Sequence, residues 1–227
     1  MTRKIVALGL VLAVLGALGF GASRLAWSKV QGLLGERLRT ALGAQACDVG
    51  VQASWLDLYH GRIPAVDVHA QRMHADGRPD IERLDVVARN LRVSDLKLAG
   101  FDGAHFTATV SQEALNAWIP TRKKRGEHEP EEQVTLNAGR LEVRFVLRKG
   151  VLSPPVTGTL HAKGPIIELV LDMNRLRALL PARLVKSMEK RTLVDMSDGS
   201  LPPVDITTLR IEPHQLVVEG DCHPVAP

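Results

Sequence analysis

Apolar and polar residues alternate with a period of two along stretch after stretch of this chain, and that pattern restricts its fold more than any other feature. Val49, Val51, Ala53 and Trp55 alternate with polar or small residues. Val66, Val68 and Ala70 do so after Gly61-Arg62-Ile63-Pro64, which reads as a turn. Ala104, Phe106, Ala108 and Val110 form another run, and Leu141, Val143, Phe145 and Leu147 interleave with Arg140, Glu142, Arg144 and Arg148. Successive side chains of a strand point to opposite faces, so this patterning predicts antiparallel sheet with one wet face and one apolar face. Asp67-Val68-His69-Ala70-Gln71-Arg72-Met73 is echoed by Asp85-Val86-Val87-Ala88-Arg89-Asn90-Leu91, as if two successive strands were cut to one pattern. Further on, Lys149-Gly150 reads as a turn into a strand over Val156–Ala162. Ile206–Ile211 and Leu216–Asp221 flank Glu212-Pro213-His214-Gln215 as a hairpin.

Helical spacing interrupts the strands in three places. Trp27, Val30, Leu34, Leu38 and Ala41 give an amphipathic helix within residues 23–45. Ser111 can cap a short helix that puts Leu115, Trp118 and Ile119 on one side. Leu176, Leu179, Leu180, Leu184, Val185 and Met188 mark one face of a long amphipathic helix over Met173–Leu193, with Pro181 as a kink or a restart. Residues 120–133 hold a charged loop with a basic half before an acidic half. The order of elements predicts α+β architecture, a curved antiparallel sheet with its main domain over residues 46–222 and a tail over 223–227.

The N-terminus has its own signature. Arg3-Lys4 precedes an unbroken apolar run, Ile5–Ala22, whose length of about 18 residues just suffices to cross a bilayer core as a helix. A basic start before such a run is an export signal, so residues 1–22 are expected to be a signal peptide or a signal-anchor transmembrane helix. The body would then lie on the extracytoplasmic side of the cell membrane, or be secreted if the segment is cut near Ala22-Ser23. Gly9, Ala13, Ala17 and Gly21 recur every fourth residue, which would permit a homodimer through this helix, although export segments are commonly rich in Ala and Gly.

Charge and motifs exclude several functions. The formal charge is +4, from 29 Lys and Arg against 25 Asp and Glu, and aromatic residues make up 4% of the chain. Nucleic-acid binders are more basic and more aromatic, so no nucleic-acid partner is expected. P-loop, GxGxxG, GxSxG and HExxH motifs are all missing from the sequence. The eight histidines are scattered, and His69 and His74 fall on opposite faces of one strand. Asp67 and Asp85 occupy matching places in the echoed strands; a carboxylate pair is conceivable there, but solvated outer-face acids are the simpler reading. The sequence therefore points to no enzyme, no metal and no cofactor.

The segment Trp55-Leu56-Asp57-Leu58-Tyr59-His60-Gly61-Arg62-Ile63-Pro64-Ala65-Val66-Asp67-Val68 resembles the LmeA-type phospholipid-binding family, as does Ile81-Glu82-Arg83-Leu84-Asp85-Val86 after it. Ala108–Asn116 looks like that family's strand-then-helix entry. Leu201–Ile206 and Leu216–Gly220 look like its closing hairpin. The resemblance covers most of Val49–Asp221 and is carried by the order and spacing of the pieces. It implies a bacterial envelope protein with a fold similar to the tubular lipid-binding (TULIP-like) class, a curved sheet wrapped round a long helix with an apolar groove between them. The partner would be a phospholipid or a lipid-linked glycan precursor, at or near the membrane. On that reading Trp55, Leu58, Phe106, Val110, Trp118, Leu176, Leu180 and Leu184 line the groove, although for each taken alone ordinary core is the commoner role. The alternative is a membrane-tethered structural or assembly protein of the envelope with no ligand.

Cys47 begins the first predicted strand and Cys222 ends the last. In an oxidising compartment an even count placed this way suggests a disulfide closing the domain, against two separate thiols.

Overall fold

The computed structural model of the chain describes residues 32, 35–40, 42–74, 78–94, 97–122, 131–146, 153–177, 182–197 and 203–224. Two antiparallel sheets dominate it. The first, sheet A, is seven-stranded and runs in the order β1 (Ala44–Gln52), β2 (Arg62–Met73), β3 (Ile81–Ser94), β5 (Gly103–Ser111), β12 (Gln215–Cys222) and β11 (Val204–Glu212), with β4 (Lys97–Gly100) paired to β3. Sheet B is five-stranded, in the order β10 (Lys190–Asp195), β9 (Ile166–Leu171), β8 (Val156–Lys163), β7 (Arg140–Val146) and β6 (Glu131–Asn137). Helices are short: α1 (Trp55–Tyr59), α2 (Gln112–Arg122), α3 (Ala182–Glu189) and a 3-10 turn at Met173–Leu176, with residues 35–40 also helical.

This architecture corrects the expected fold class. The chain is β-rich, not α+β around a long helix. Within Met173–Leu193 the described residues form the 3-10 turn, α3 and most of β10. Leucines at helical spacing do not suffice for a helix here: Lys190-Arg191-Thr192 and, past a bulge at Leu193, Val194-Asp195 pair with β9 instead, bringing their backbone groups into a ladder. The first strand also ends early, because Ser54 and Asp57 cap α1 reciprocally, and Trp55 therefore opens a helix. Arg62, Ile63 and Pro64 belong to β2, the turn being confined to His60 and Gly61, the latter at φ +66°. Pro64 is tolerated in an inner strand because β1 pairing stops at Ala65, leaving nothing on that side to accept a missing N–H.

Among the described residues no helix is long and apolar enough to cross a membrane, so the expected transmembrane or signal-anchor helix is not found among them. The Ile5–Ala22 run and its small-residue stripe lie outside the described residues, as does the Lys149-Gly150 turn. Of the charged loop at residues 120–133, the structure gives α2 through Arg122 and β6 from Glu131. The expected disulfide is not formed. Cys47 and Cys222 are free thiols on β1 and β12, with β2, β3 and β5 between them. Four inter-strand spacings amount to about 19 Å, far beyond the roughly 7 Å a bridge tolerates.

The echoed segments have a geometric meaning. Val68 pairs with its own counterpart, Val86, so a local two-fold relates β2 to β3. Arg72 and Asn90, also counterparts, both adopt left-handed backbone at φ 49° and 50°. Each resets the alternation: Ala70 and Met73 are both buried, and Ala88 and Leu91 both face inward.

Sheet B is strongly curled. Glu132 on β6 and Arg191 on β10 belong to opposite edges, yet the guanidinium donates twice to the carboxylate, at 2.6 Å and 2.5 Å. The free edge of β6 is covered by α2, whose Asn116 amide accepts from Val134 N–H at 2.7 Å and donates to its carbonyl at 2.8 Å. Gln112 accepts from Leu136 N–H at 2.7 Å in the same way, and Ser111 caps the helix by accepting from Ala114 N–H. An exposed edge is thus closed by side-chain amides that imitate a neighbouring strand.

Candidate functional site

The apolar face of sheet A can be read off its register. One row crosses the sheet as Val51, Val66, Ala88, Ala104 and Cys222. The next runs Val49, Val68, Val86, Phe106, Gly220 and Ile206. A third runs Cys47, Ala70, Leu84, Ala108, Val218 and Leu209. Alternation on each strand puts all three rows on one face, a continuous apolar floor.

Different elements cover that floor at its two ends. Over β11, β12 and part of β5 lies the main core, where sheet B contributes Leu136, Val143, Phe145 and Leu171 and the helices contribute Leu115, Trp118, Leu176 and Met188. Over β1 and β2 lies a second core in which Leu38 packs on Val49, Val51, Ile63, Val66, Val68 and Leu91. Between them, Leu84, Val86, Ala88, Ala104 and Phe106 are only half-buried. Val86 and Ala88 pack against the second core, Leu84 and Phe106 against the main one. This strip on β3 and β5 is the candidate site.

Phe106 and Gly220 shape its floor. A Cβ at Gly220 would fall 2.7 Å from Cε1 and Cζ of Phe106, so the missing side chain is what lets the ring lie flat across β12. Polar chemistry is kept to the opposite face of the sheet. There His69 Nδ1 is 2.6 Å from Asp85 and His105 Nδ1 is 2.9 Å from Asp221. Partial burial pushes the Asp85 carboxyl up, but hydrogen bonds from His69 and Arg83 outweigh it and hold it below its ordinary range. Asp67 lies opposite Val87 and takes a hydrogen bond from Gln52, so it forms no dyad with Asp85. Burial pushes up both thiols, with Asp48 and Asp221 adding to it at Cys47 and Cys222 respectively. Among the described residues no group of three or more His, Cys, Asp or Glu side chains could hold a metal ion.

Of the residues assigned to the groove from sequence, Phe106 borders the strip. Val110, Trp118 and Leu176 sit within the main core, at 7%, 6% and 0% exposure. Trp55 and Leu58 fall in α1 and Leu184 in α3, with their side chains outside the description, and Leu180 lies outside the described residues altogether. Leu84, Val86, Ala88 and Ala104 were missed as site residues. Their strands were legible, but only the cross-strand register gathers them into one strip.

No curated protein and no solved structure matches the chain. A family model described as LmeA-like phospholipid-binding matches residues 20–221, which includes every strand described above except the last residue of β12, Cys222. The chain belongs to the LmeA-like phospholipid-binding family.

Proposed function

We propose that the protein holds the acyl chains of a phospholipid, or of a lipid-linked envelope precursor, against the strip formed by Leu84, Val86, Ala88, Ala104 and Phe106. The observation that carries this is the strip itself: an apolar floor buried at both ends and left half-covered between. Each acyl methylene taken from water there is worth about 0.8 kcal/mol, so a few suffice for useful affinity. The floor offers no charged side chain, which suits hydrocarbon and leaves the headgroup in water. Binding of this kind makes and breaks no bond, and it serves equally to store, present or transfer a lipid. The basic start and apolar run at the N-terminus support action outside the cytoplasm.

Mass spectrometry of organic extracts from the purified full chain tests the proposal. Phospholipid or a lipid-linked precursor recovered in constant ratio to protein is the expected result. A lipid-free protein that also takes up no phospholipid from vesicles would contradict it and favour an envelope assembly role without a ligand.

A further inference from the structure

Leu56 and Tyr59 are the large apolar side chains that stand exposed among the described residues, at 48% and 73%. They lie three apart on α1 and therefore share a face. The helix is fixed in place by Ser54 and Asp57: Ser54 N–H donates to the Asp57 carboxylate at 2.9 Å, and Asp57 N–H donates to Ser54 Oγ at 3.2 Å. An apolar pair held outward on a capped turn is a feature that water alone does not favour.

The charges beside it are positive. Arg62 opens β2 directly opposite Arg92 of β3, and Arg89 lies opposite Ala65 on the same two strands. All three arginines are exposed. Like charges directly across a strand pair are destabilising unless an anion joins them. Arg92 has Asp102 at 3.7 Å, whereas Arg62 and Arg89 make no ion pair among the described residues. The acids nearby are engaged: Asp57 is hydrogen-bonded to Ser54 and feels the Arg62 charge without a close ion pair, and Asp102 takes the Asn90 amide at 2.9 Å.

We propose that this end of sheet A docks on a bilayer surface carrying anionic lipid, with Leu56 and Tyr59 entering the headgroup layer and Arg62, Arg89 and Arg92 meeting phosphates. Tyrosine suits that depth because its ring is apolar and its hydroxyl can stay wet. Arginine matches phosphate with paired donors. The row Val51, Val66, Ala88, Ala104 runs along this end, so a docked protein would bring one end of the strip to the bilayer. That last consequence rests on the lipid-binding proposal; docking does not.

Hydrogen exchange of the full chain with phosphatidylcholine vesicles, with and without phosphatidylglycerol, tests it. The readout is local to residues 53–62, so attachment through any other segment does not register. Slower exchange there with phosphatidylglycerol, reversed by salt, is expected. Neutralising Arg62 and Arg92 as Arg62→Gln and Arg92→Gln should weaken this docking by about fivefold each. Leu56→Ser with Tyr59→Ser should abolish the protection while leaving the urea midpoint unchanged, since both side chains are exposed. No protection, equal protection by both vesicle types, or protection that survives the double serine variant would overturn the proposal. Lipid extracted from the same preparations reports on the strip separately, so either idea can fail alone.

Discussion

A methyl group added at Gly220 would meet the Asp205 carbonyl oxygen at 2.6 Å and the Phe106 ring at 2.7 Å. A ring can tilt, but a backbone oxygen in a paired strand cannot, so Gly220→Ala is expected to cost about 2–3 kcal/mol in urea denaturation. Gly158→Ala meets only the ends of Leu141, Leu169 and Leu171, at 2.6 to 3.0 Å, and should cost less. Asp85 carries a pH prediction. A carboxyl held low in the folded state adds stability above its unfolded pKa, and that stability is lost as pH falls through the folded value. Asp85→Asn should therefore cost about 0.5–1 kcal/mol at neutral pH and nothing once acid has protonated the wild-type carboxyl. Paired denaturation curves at the two pH values check it. For the cysteines, alkylation without reductant should add two groups to the folded protein, slowly because both thiols are pushed up. An unmodified mass after unfolding in alkylating agent would mean a bridge.

At the scale of elements, α2 and the β2–β3 hairpin make the clearest demands. Asn116→Ala strips partners from both the N–H and the carbonyl of Val134, so a loss of about 2–3 kcal/mol is expected, with early exchange of the β6 amides. At Arg72 the left-handed backbone disfavours a side chain, and Arg72→Gly should be neutral or stabilising by up to about 1 kcal/mol. Asn90→Val should cost about 1–2 kcal/mol, because a β-branched residue tolerates that conformation worse than asparagine. Period two in the sequence located most of sheet A, together with β7 and β8, and Ser111 correctly marked the start of α2. It failed at β4 and β6, the start of β6 being read as part of the charged loop, and at β9 and β10. Ile166-Ile167-Glu168-Leu169-Val170-Leu171 is too evenly apolar to alternate, and the leucines before β10 happen to fall at helical spacing. Alternation also hides where it is reset: Arg72 and Asn90 shift the buried positions by one, and neither is the glycine that would announce a left-handed residue.

The whole molecule depends on contacts that no local pattern encodes. The curl of sheet B brings Glu132 to Arg191 across its two edges, with the Glu132 side chain 1% exposed. Removing one partner leaves a buried charge, so Glu132→Gln or Arg191→Met should each cost about 3–5 kcal/mol, while replacing both by apolar residues should recover most of the loss. The strip is a product of the same scale. Its residues come from β3 and β5, its lids from a helical segment near Leu38 on one side and sheet B on the other, and only the assembled fold leaves it half-covered. The apolar residues were visible in the sequence. Their division into closed core and open strip was not, because buried and lipid-facing side chains have the same chemistry. The central claim is that a lipid occupies this strip, and the most direct test measures phospholipid binding and urea stability together for Val86→Asp and for the closed-core control Leu136→Ala. A carboxylate on the strip can still reach water in the lipid-free protein but would be buried under acyl chains. The account predicts that Val86→Asp loses binding far out of proportion to its loss of stability, while Leu136→Ala loses stability and keeps binding. Binding that falls strictly in step with stability in both variants would contradict it.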